Sequence, residues 1–336
     1  MGQRATIADV AREAGVSRQT VSRALNNKAE ISSETLRRVL EVIERLDYRP
    51  SSIARGLATR RTLTIGLVVP DIANPFFAEI GRGADDAAHE AGYSVLLCNT
   101  VEDPKREAEL LHTLEQRSVD GVVICSSRLP QDELAALVER QAAAVLINRV
   151  LPGVNAVCVD DARGAGMLVR HLLADGRRSI GCLAGPAASY SSQERCRGYA
   201  EALAAAGGHR GAAYTVRCAH PDIESGYLAA KRLLHERPET DALLCHNDLV
   251  AAGALRACAE LGRGVPDDVA VAGADDILLA SLVTPALTTL RSDRPALGAA
   301  AARMLIDELN ASPGNCSGDC HTLVFQPELV VRASAP

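Results

Sequence analysis

A chain of 336 residues has room for two or three compact units and is too long for one comfortable core. Hydrophobic residues at 47% and charged residues at 23% exclude a fibre or a disordered tail, and no uncharged apolar run of about 18 residues is present to span a bilayer. The net charge of -6 conceals a basic head on an acidic body: residues 1–61 carry twelve Lys and Arg against seven Asp and Glu (net +5), and residues 62–336 carry twenty-four against thirty-five (net -11).

That asymmetry points to a polyanion met by the head alone. The first residues, MGQRATIADV, are polar and lack the apolar core of a secretory signal, so the protein is expected in the cytoplasm. Thr6 followed by Asp9 predicts a capped helix start, and Ile7, Val10, Ala11 and Ala14 then repeat at helical spacing. Gly15 ends this helix, Val16 fills the corner and Ser17 caps a second helix. There Val21, Ala24 and Leu25 face inward, while Arg18, Gln19, Ser22 and Arg23 share the outer face. A third helix starts near Ser32 or Ser33, with Leu36, Val39, Leu40, Ile43 and Leu46 as its expected buried stripe. Helix, glycine turn, helix is the helix-turn-helix layout, whose second helix enters the major groove. Arginine suits guanine and glutamine suits adenine there. A generic three-helix bundle would mix charge signs on its surface, yet no acid occurs from Gly15 to Ala29.

The segments TIADVAREAGVSRQTVSRALN and ISSETLRRVLEVIERLDYRPSSIARGLATRRT together resemble the DNA-binding head and hinge of the lactose-repressor (LacI/GalR) family over about sixty residues. The resemblance implies that Arg18, Gln19 and Arg23 read bases. It also implies that Thr6, Ser17, Thr20, Ser22 and Asn26 contact the sugar-phosphate backbone. From Pro50 the segment Ser51–Ala58 is too short and glycine-containing for a stable isolated helix. A flexible linker is the plain reading of it. The resemblance implies a hinge helix that pairs over the minor groove and inserts Leu57 as a wedge, with Arg55, Arg60 and Arg61 on phosphates.

From Leu63 onward, apolar strand runs alternate with amphipathic helices: 63–69, 94–98, 121–125, 144–147, 156–159, 180–184, 242–245 and 269–273. Continuous apolar strands separated by helices predict parallel sheets covered on both faces, here in two lobes of about 62–160 plus 292–321 and about 161–291 plus 322–336. Ligands of such folds bind where strand C-termini meet. The ten cysteines, often inside these runs (Cys98, Cys125, Cys182, Cys245), read as reduced thiols serving as small hydrophobes. Cys316, Cys320 and His321 have a spacing that suits a metal, but no second ligand pair accompanies them, and a plain loop is expected.

The body also resembles the family's, which is like periplasmic sugar-binding proteins, through Asp71–Phe77, Gly185–Tyr199, His246–Asp248, Gly273–Asp276 and Pro285–Thr289. Phe76 or Phe77 offers an aromatic face to a sugar ring or base, with one of the two expected in the core. Asn148, Arg195, Asn247 and Asp275, together with Ser126 and Asp160, supply groups for hydroxyls or carboxylates. Asn247–Asp248 and Asp160–Asp161 equally suit helix caps. The resemblance favours a ligand role for Arg195 and Asp275. Pro221 and Ser292 depart from the family's usual aromatic and amide.

The expected protein is therefore an α/β regulator with a helix-turn-helix domain (1–49), a hinge (50–61) and an effector-binding and dimerisation body (62–336). It binds double-stranded DNA at a pseudo-palindromic operator, as a repressor controlled by a sugar or sugar derivative. No metal, cofactor or membrane partner is expected. A solute-binding protein of a transport system shares the body but has no use for the head. An enzyme lacks support: no G-x-G-x-x-G after a strand, P-loop, G-x-S-x-G or H-E-x-x-H is present, and the neighbours Cys245 and His246 point to opposite faces of a strand. The resemblance implies dimers formed through the body and tetramers only with an additional C-terminal leucine-heptad helix; the residues after Gln326–Pro327 leave no room for a heptad, so a dimer is expected.

Overall fold

The structure is a computed structural model that describes residues 5–25, 31–48, 61–207, 214–311 and 320–336. By internal packing the chain divides into two units, Met1–Thr62 and Leu63–Pro336.

In the first unit, α1 (Ile7–Ala14) begins with a reciprocal cap. The Asp9 carboxylate accepts from Thr6 N at 2.9 Å, and Asp9 N donates back to Thr6 Oγ1. Gly15 takes φ 65°, the left-handed conformation that closes the helix without a Cβ penalty. Ser17 Oγ then accepts from Thr20 N at 3.1 Å and starts α2 (Arg18–Leu25). In α3 (Ser33–Arg45) the buried residues are Val39 and Val42. They complete a small core with Val10, Ala11, Ala14, Val21 and Ala24, against which Leu36, Ile43 and Leu46 pack. Leu40, expected in that stripe, is instead 47% exposed. Val42 lies three residues after Val39 and takes the inner position, while Leu40 is turned about 100° away from Val39.

The second unit follows a strand-helix alternation. The first lobe contains β1 (Thr64–Val69), α4 (Pro75–Glu90), β2 (Ser94–Asn99), α5 (Pro104–Gln116), β3 (Gly121–Cys125), α6 (Gln131–Val138), β4 (Ala144–Ile147) and β5 (Asn155–Val159). The chain then builds the second lobe from α7 (Asp161–Ala174), β6 (Ile180–Ala184), α8 (Tyr190–Ala205), β7 (Tyr214–Arg217), α9 (Ile223–Glu236), β8 (Ala242–Cys245), α10 (Asp248–Glu260), β9 (Ala270–Ala272), α11 (Leu278–Leu282) and β10 (Thr289–Arg291). It returns to the first with α12 (Arg294–Asn310) and β11 (Thr322–Phe325), and β12 (Glu328–Val330) pairs antiparallel with β10.

The first sheet has the order β11-β5-β4-β3-β1-β2 and the second β7-β6-β8-β9, with parallel pairing throughout both. Helices cover both faces, so β1, β3, β4 and β6 are almost wholly buried and read as unbroken apolar runs. The expected lobe boundary at 321 is corrected by β11. Its residues pair with β5, from Thr322↔Ala156 to Phe325↔Val159, so it belongs to the first sheet.

Packing brings helix backbones unusually close. A Cβ on Gly298 of α12 would lie 1.9 Å from the Ile80 carbonyl of α4, and one on Gly198 of α8 would lie 2.0 Å from the Ala162 carbonyl of α7. Asn74, Ser189 and Asn247 cap α4, α8 and α10 at the C-terminal ends of β1, β6 and β8. Polar side chains are thereby fixed where the two lobes face each other. Among the described residues no helix is long and apolar enough to cross a membrane.

Candidate nucleic-acid interface and effector cleft

In the head, α2 buries Val21 and Ala24 and exposes Ser17, Arg18, Gln19, Ser22 and Arg23, with Thr20 half-buried. Thr6 is exposed at the start of α1, and its hydroxyl lies 2.6 Å from the Asp9 carboxylate. Ser17 and Thr20 share a hydroxyl contact of 2.9 Å. The outer face of α2 is thus two guanidiniums, an amide and small hydroxyls, the groups that bond base edges and phosphates. Asn26, Arg55, Leu57, Arg60 and Cys316 lie outside the described residues, as does the hinge from 50 to 60.

In the body, a cleft opens at the C-terminal ends of strands from both sheets. It holds about 360 Å³ of empty space, its open mouth included. The first lobe contributes Phe76 and Phe77 from the first turn of α4, Ser126 after β3 and Asn148 after β4. The second contributes Arg195 from α8, Asn247 at the start of α10 and Asp275 after β9. Both phenylalanines are buried in the lobe core and both line the cleft, edge to face with ring centroids 5.2 Å apart. Ser126, Asn148 and Asp275 take φ of 49°, 50° and 107°. Such backbone is sparsely populated without glycine and clusters at ligand sites.

Asp160 is a correction. It does not line the cleft, and its carboxylate instead caps α7 by accepting from Arg163 N at 3.1 Å. The neighbouring Asp161 is the buried acid that matters: its Oδ1 accepts from Arg195 Nε at 2.7 Å. Arg195 Nη2 donates to Asp275 Oδ1 at 3.2 Å, and Nη1 donates to the His246 carbonyl. Asn247 serves both of its readings, because its Oδ1 caps α10 on Val250 N at 2.9 Å while it faces the cleft. Its Nδ2 donates to the Pro221 carbonyl at 3.1 Å. Asn148 Oδ1 accepts from Val159 N at 3.0 Å, which leaves its amide NH2 as the group to offer.

Burial sets the charge states. It drives the Arg195 pKa down, but Asp161 and Asp275 outweigh it, and the net shift is upward. Asp275 is pushed up to about 6 by burial, with Arg195 pulling it down and Asp161 pushing it further up. Behind it Asp248, fully buried, is pushed up to about 8 by burial and by Asp275. Its oxygens accept from Ile277 N at 2.9 Å and Thr289 Oγ1 at 2.5 Å. His246 lines the cleft and is held below its usual pKa by burial, then by Arg195 and Arg128.

Five further residues line the cleft without having been singled out for it in the sequence: Asn74, Arg128, Ser189, Ser191 and His246. Asn74 and Ser189 were readable as caps directly after strands. Arg128 follows an apolar strand end, the place where such folds put ligand groups. Ser292 lies in a small adjoining recess with Asp161, Arg195 and Asp275.

A helix-turn-helix face and a two-lobed sugar-protein-like cleft in one chain have matching counterparts. The family model for bacterial regulatory proteins of the lacI family matches residues 6–51. The model for periplasmic binding proteins and sugar binding domain of LacI family matches residues 62–317. The chain belongs to the LacI family. Among relatives of this LacI-family protein, the ribose operon repressor of Halalkalibacterium halodurans is 37% identical over 97% of this chain and 96% of its own. The regulator GalR of Salmonella typhimurium is 36% identical over 98% and 96%. Among solved structures, a lac repressor dimer bound to operator and the anti-inducer ONPF superposes with a TM-score of 0.89 at 27% identity, covering 99% of both chains. A complex of the transcriptional regulator CelR with cellobiose has a TM-score of 0.74 at 32% identity, covering 98% of this chain and all of that one. The protein is a DNA-binding transcription regulator controlled by a small-molecule effector.

Proposed function

We propose that this LacI-family protein is a cytoplasmic, dimeric repressor that reads a pseudo-palindromic operator with Arg18, Gln19 and Arg23 and binds a sugar or sugar derivative between its lobes. The observation that carries the effector reading is the fork of Arg195 and Asp275 opposite Asn148 and beside the Phe76–Phe77 pair. Adjacent donors and acceptors match vicinal hydroxyls, and an aromatic ring face suits the apolar face of a sugar ring. Groups from both lobes converge on one ligand, so the ligand favours one lobe arrangement over another. That preference is the physical basis for control of DNA binding.

The dimer reading has its own support. Leu278 and Leu282, one turn apart on α11, are 71% and 69% exposed, and Leu228 of α9 is 58% exposed. Exposed apolar side chains of this size, two of them one turn apart on a single helix, suit an association surface. One head covers one half-site, and genomic specificity normally takes two. The experiment is a thermal-shift screen of sugars, sugar acids, phosphorylated sugars and nucleobases, followed by gel shifts on DNA selected from a random pool. A compound that raises the melting temperature and changes operator affinity is the expected result. Turnover of the bound compound, or no DNA selected above background, contradicts the reading.

A further inference from the structure

Arg128 is the second guanidinium of the cleft. It stands in the loop after β3, its side chain only 4% exposed, and its charge reaches His246 on the opposite lobe. Its Nε and Nη2 fork onto the two oxygens of Glu102, at 2.6 and 3.1 Å, and Nη1 donates to the Ser126 carbonyl at 2.7 Å. Glu102 is itself 9% exposed. It sits in a turn where Val101 and Glu102 both hold left-handed φ, 54° and 60°, and its N–H is fixed on the Pro70 carbonyl at 2.9 Å. Two consecutive non-glycine residues in that region cost energy. Their effect is to aim a carboxylate inward at Arg128 and away from solvent.

The charge balance of the cleft follows. Of the charged residues that line the cleft, Arg128 is ion-paired with Glu102 and Arg195 with Asp161 and Asp275; Asp275 lines the cleft, while Glu102 and Asp161 stand behind the guanidiniums that they neutralise. Among the described residues that line this space both guanidiniums are thus already committed to carboxylates, so an anion entering it competes with Glu102, Asp161 and Asp275 for them, a costly arrangement. Hydroxyl groups have no such difficulty, since they donate to carboxylate lone pairs and accept from remaining N–H bonds. We infer that the Glu102–Arg128 pair is a specificity determinant that restricts the cleft to uncharged polyhydroxylated effectors and excludes phosphorylated or carboxylated ones. The inference rests on the reading of this cleft as the effector site.

Calorimetry on the full-length protein tests it with probes that do not depend on knowing the effector. Inorganic phosphate should show no measurable binding to the wild type. Glu102→Gln, which leaves Arg128 charged and unmatched, should bind it at least about tenfold more tightly. Glu102→Asp should still exclude phosphate, and adding Arg128→Met to Glu102→Gln should abolish the gain. Melting curves of the four proteins identify any that do not fold, and the Asp variant carries the comparison if the Gln variant is among them. Matched pairs, ribose with ribose 5-phosphate and galactose with galactose 6-phosphate, complete the test: a parent sugar that binds should lose at least about tenfold on phosphorylation. A phosphate ester that binds the wild type better than its parent overturns the inference and leaves the sugar reading standing. Phosphate gained by Glu102→Gln while no parent sugar binds supports the charge argument and defeats the sugar reading instead. No gain in Glu102→Gln and exclusion lost in Glu102→Asp each overturn the inference.

Discussion

Arg195 ties two carboxylates from different segments into one buried cluster, so its removal and that of Asp275 have different consequences. Arg195→Ala strands Asp161 and Asp275 without a counter-charge and should cost about 3–5 kcal/mol of stability. Asp275→Asn keeps the shape and should leave stability within about 1 kcal/mol, while effector affinity falls by about 1–3 kcal/mol. Denaturant titration beside calorimetry separates the two; equal loss of stability in both would show that the cluster is not organised around the arginine. Asp248 makes a pH-dependent contribution. Its folded pKa of about 8 exceeds the unfolded value, so the folded state holds the extra proton at pH 7. The associated stabilisation is complete well below pH 4 and is lost as pH rises through 8, at up to about 1.4 kcal/mol per pH unit. His246, whose pKa is lowered, acts below about pH 6.5, and Cys196, lowered to about 6, acts across the window from 7 to 8 but is common to the wild type and an Asp248 variant, so the difference between them reports Asp248. The stability of Asp248→Asn relative to wild type should therefore rise between pH 7 and pH 8, and a constant difference across that window contradicts the assignment. On the DNA side, Arg18→Ala or Gln19→Ala should lower specific affinity by about 1–3 kcal/mol and relax one base position of the selected consensus. At this scale the sequence revealed the groups tied to a motif, such as Arg195 and Asp275. It did not reveal Arg128 or Asp161, because their roles come from partners far along the chain, Glu102 and Arg195.

Helix α8 carries Arg195 on one side and meets α7 through Gly198, while α7 begins at Asp161 and Ala162. The spacing of these two helices thus sets the Arg195–Asp161 contact. Gly198→Ala puts a methyl 2.0 Å from the Ala162 carbonyl, so the helices must part. The expected loss is about 1–3 kcal/mol of stability, accompanied by weaker effector binding, and wild-type values for both would refute the coupling. The legibility of the elements divides along burial. Strands covered on both faces, such as β3 and β4, announce themselves as unbroken apolar runs. The strands that escaped notice have weaker patterns: β7 is an edge strand of mixed burial, β11 an edge strand with exposed Leu323 and Val324, and β10 and β12 only three residues each. Composition cannot place β11 in the first lobe, since that choice is made by pairing with β5. Leu40 failed for the opposite reason: apolar type suggested burial, but the helix phase favoured Val42.

At the scale of the molecule, a basic head and a two-lobed acidic body become a regulator only if ligand in the cleft changes the grip on DNA. The exposed leucines of α11 offer one check on assembly. Leu278→Glu with Leu282→Glu should convert a micromolar dimer into a monomer by light scattering and reduce operator affinity, while calorimetry of the cleft stays unchanged. Coupling between effector and operator is reciprocal by thermodynamic necessity: the factor by which effector changes operator affinity equals the factor by which operator changes effector affinity. The decisive measurement is therefore calorimetric titration of a cleft-binding sugar into the full-length protein, free and saturated with its operator. The two affinities should differ by about 5–150-fold, and by the same factor as the operator affinities with and without sugar. Identical affinities for the free and operator-bound protein would show that cleft and head are not coupled.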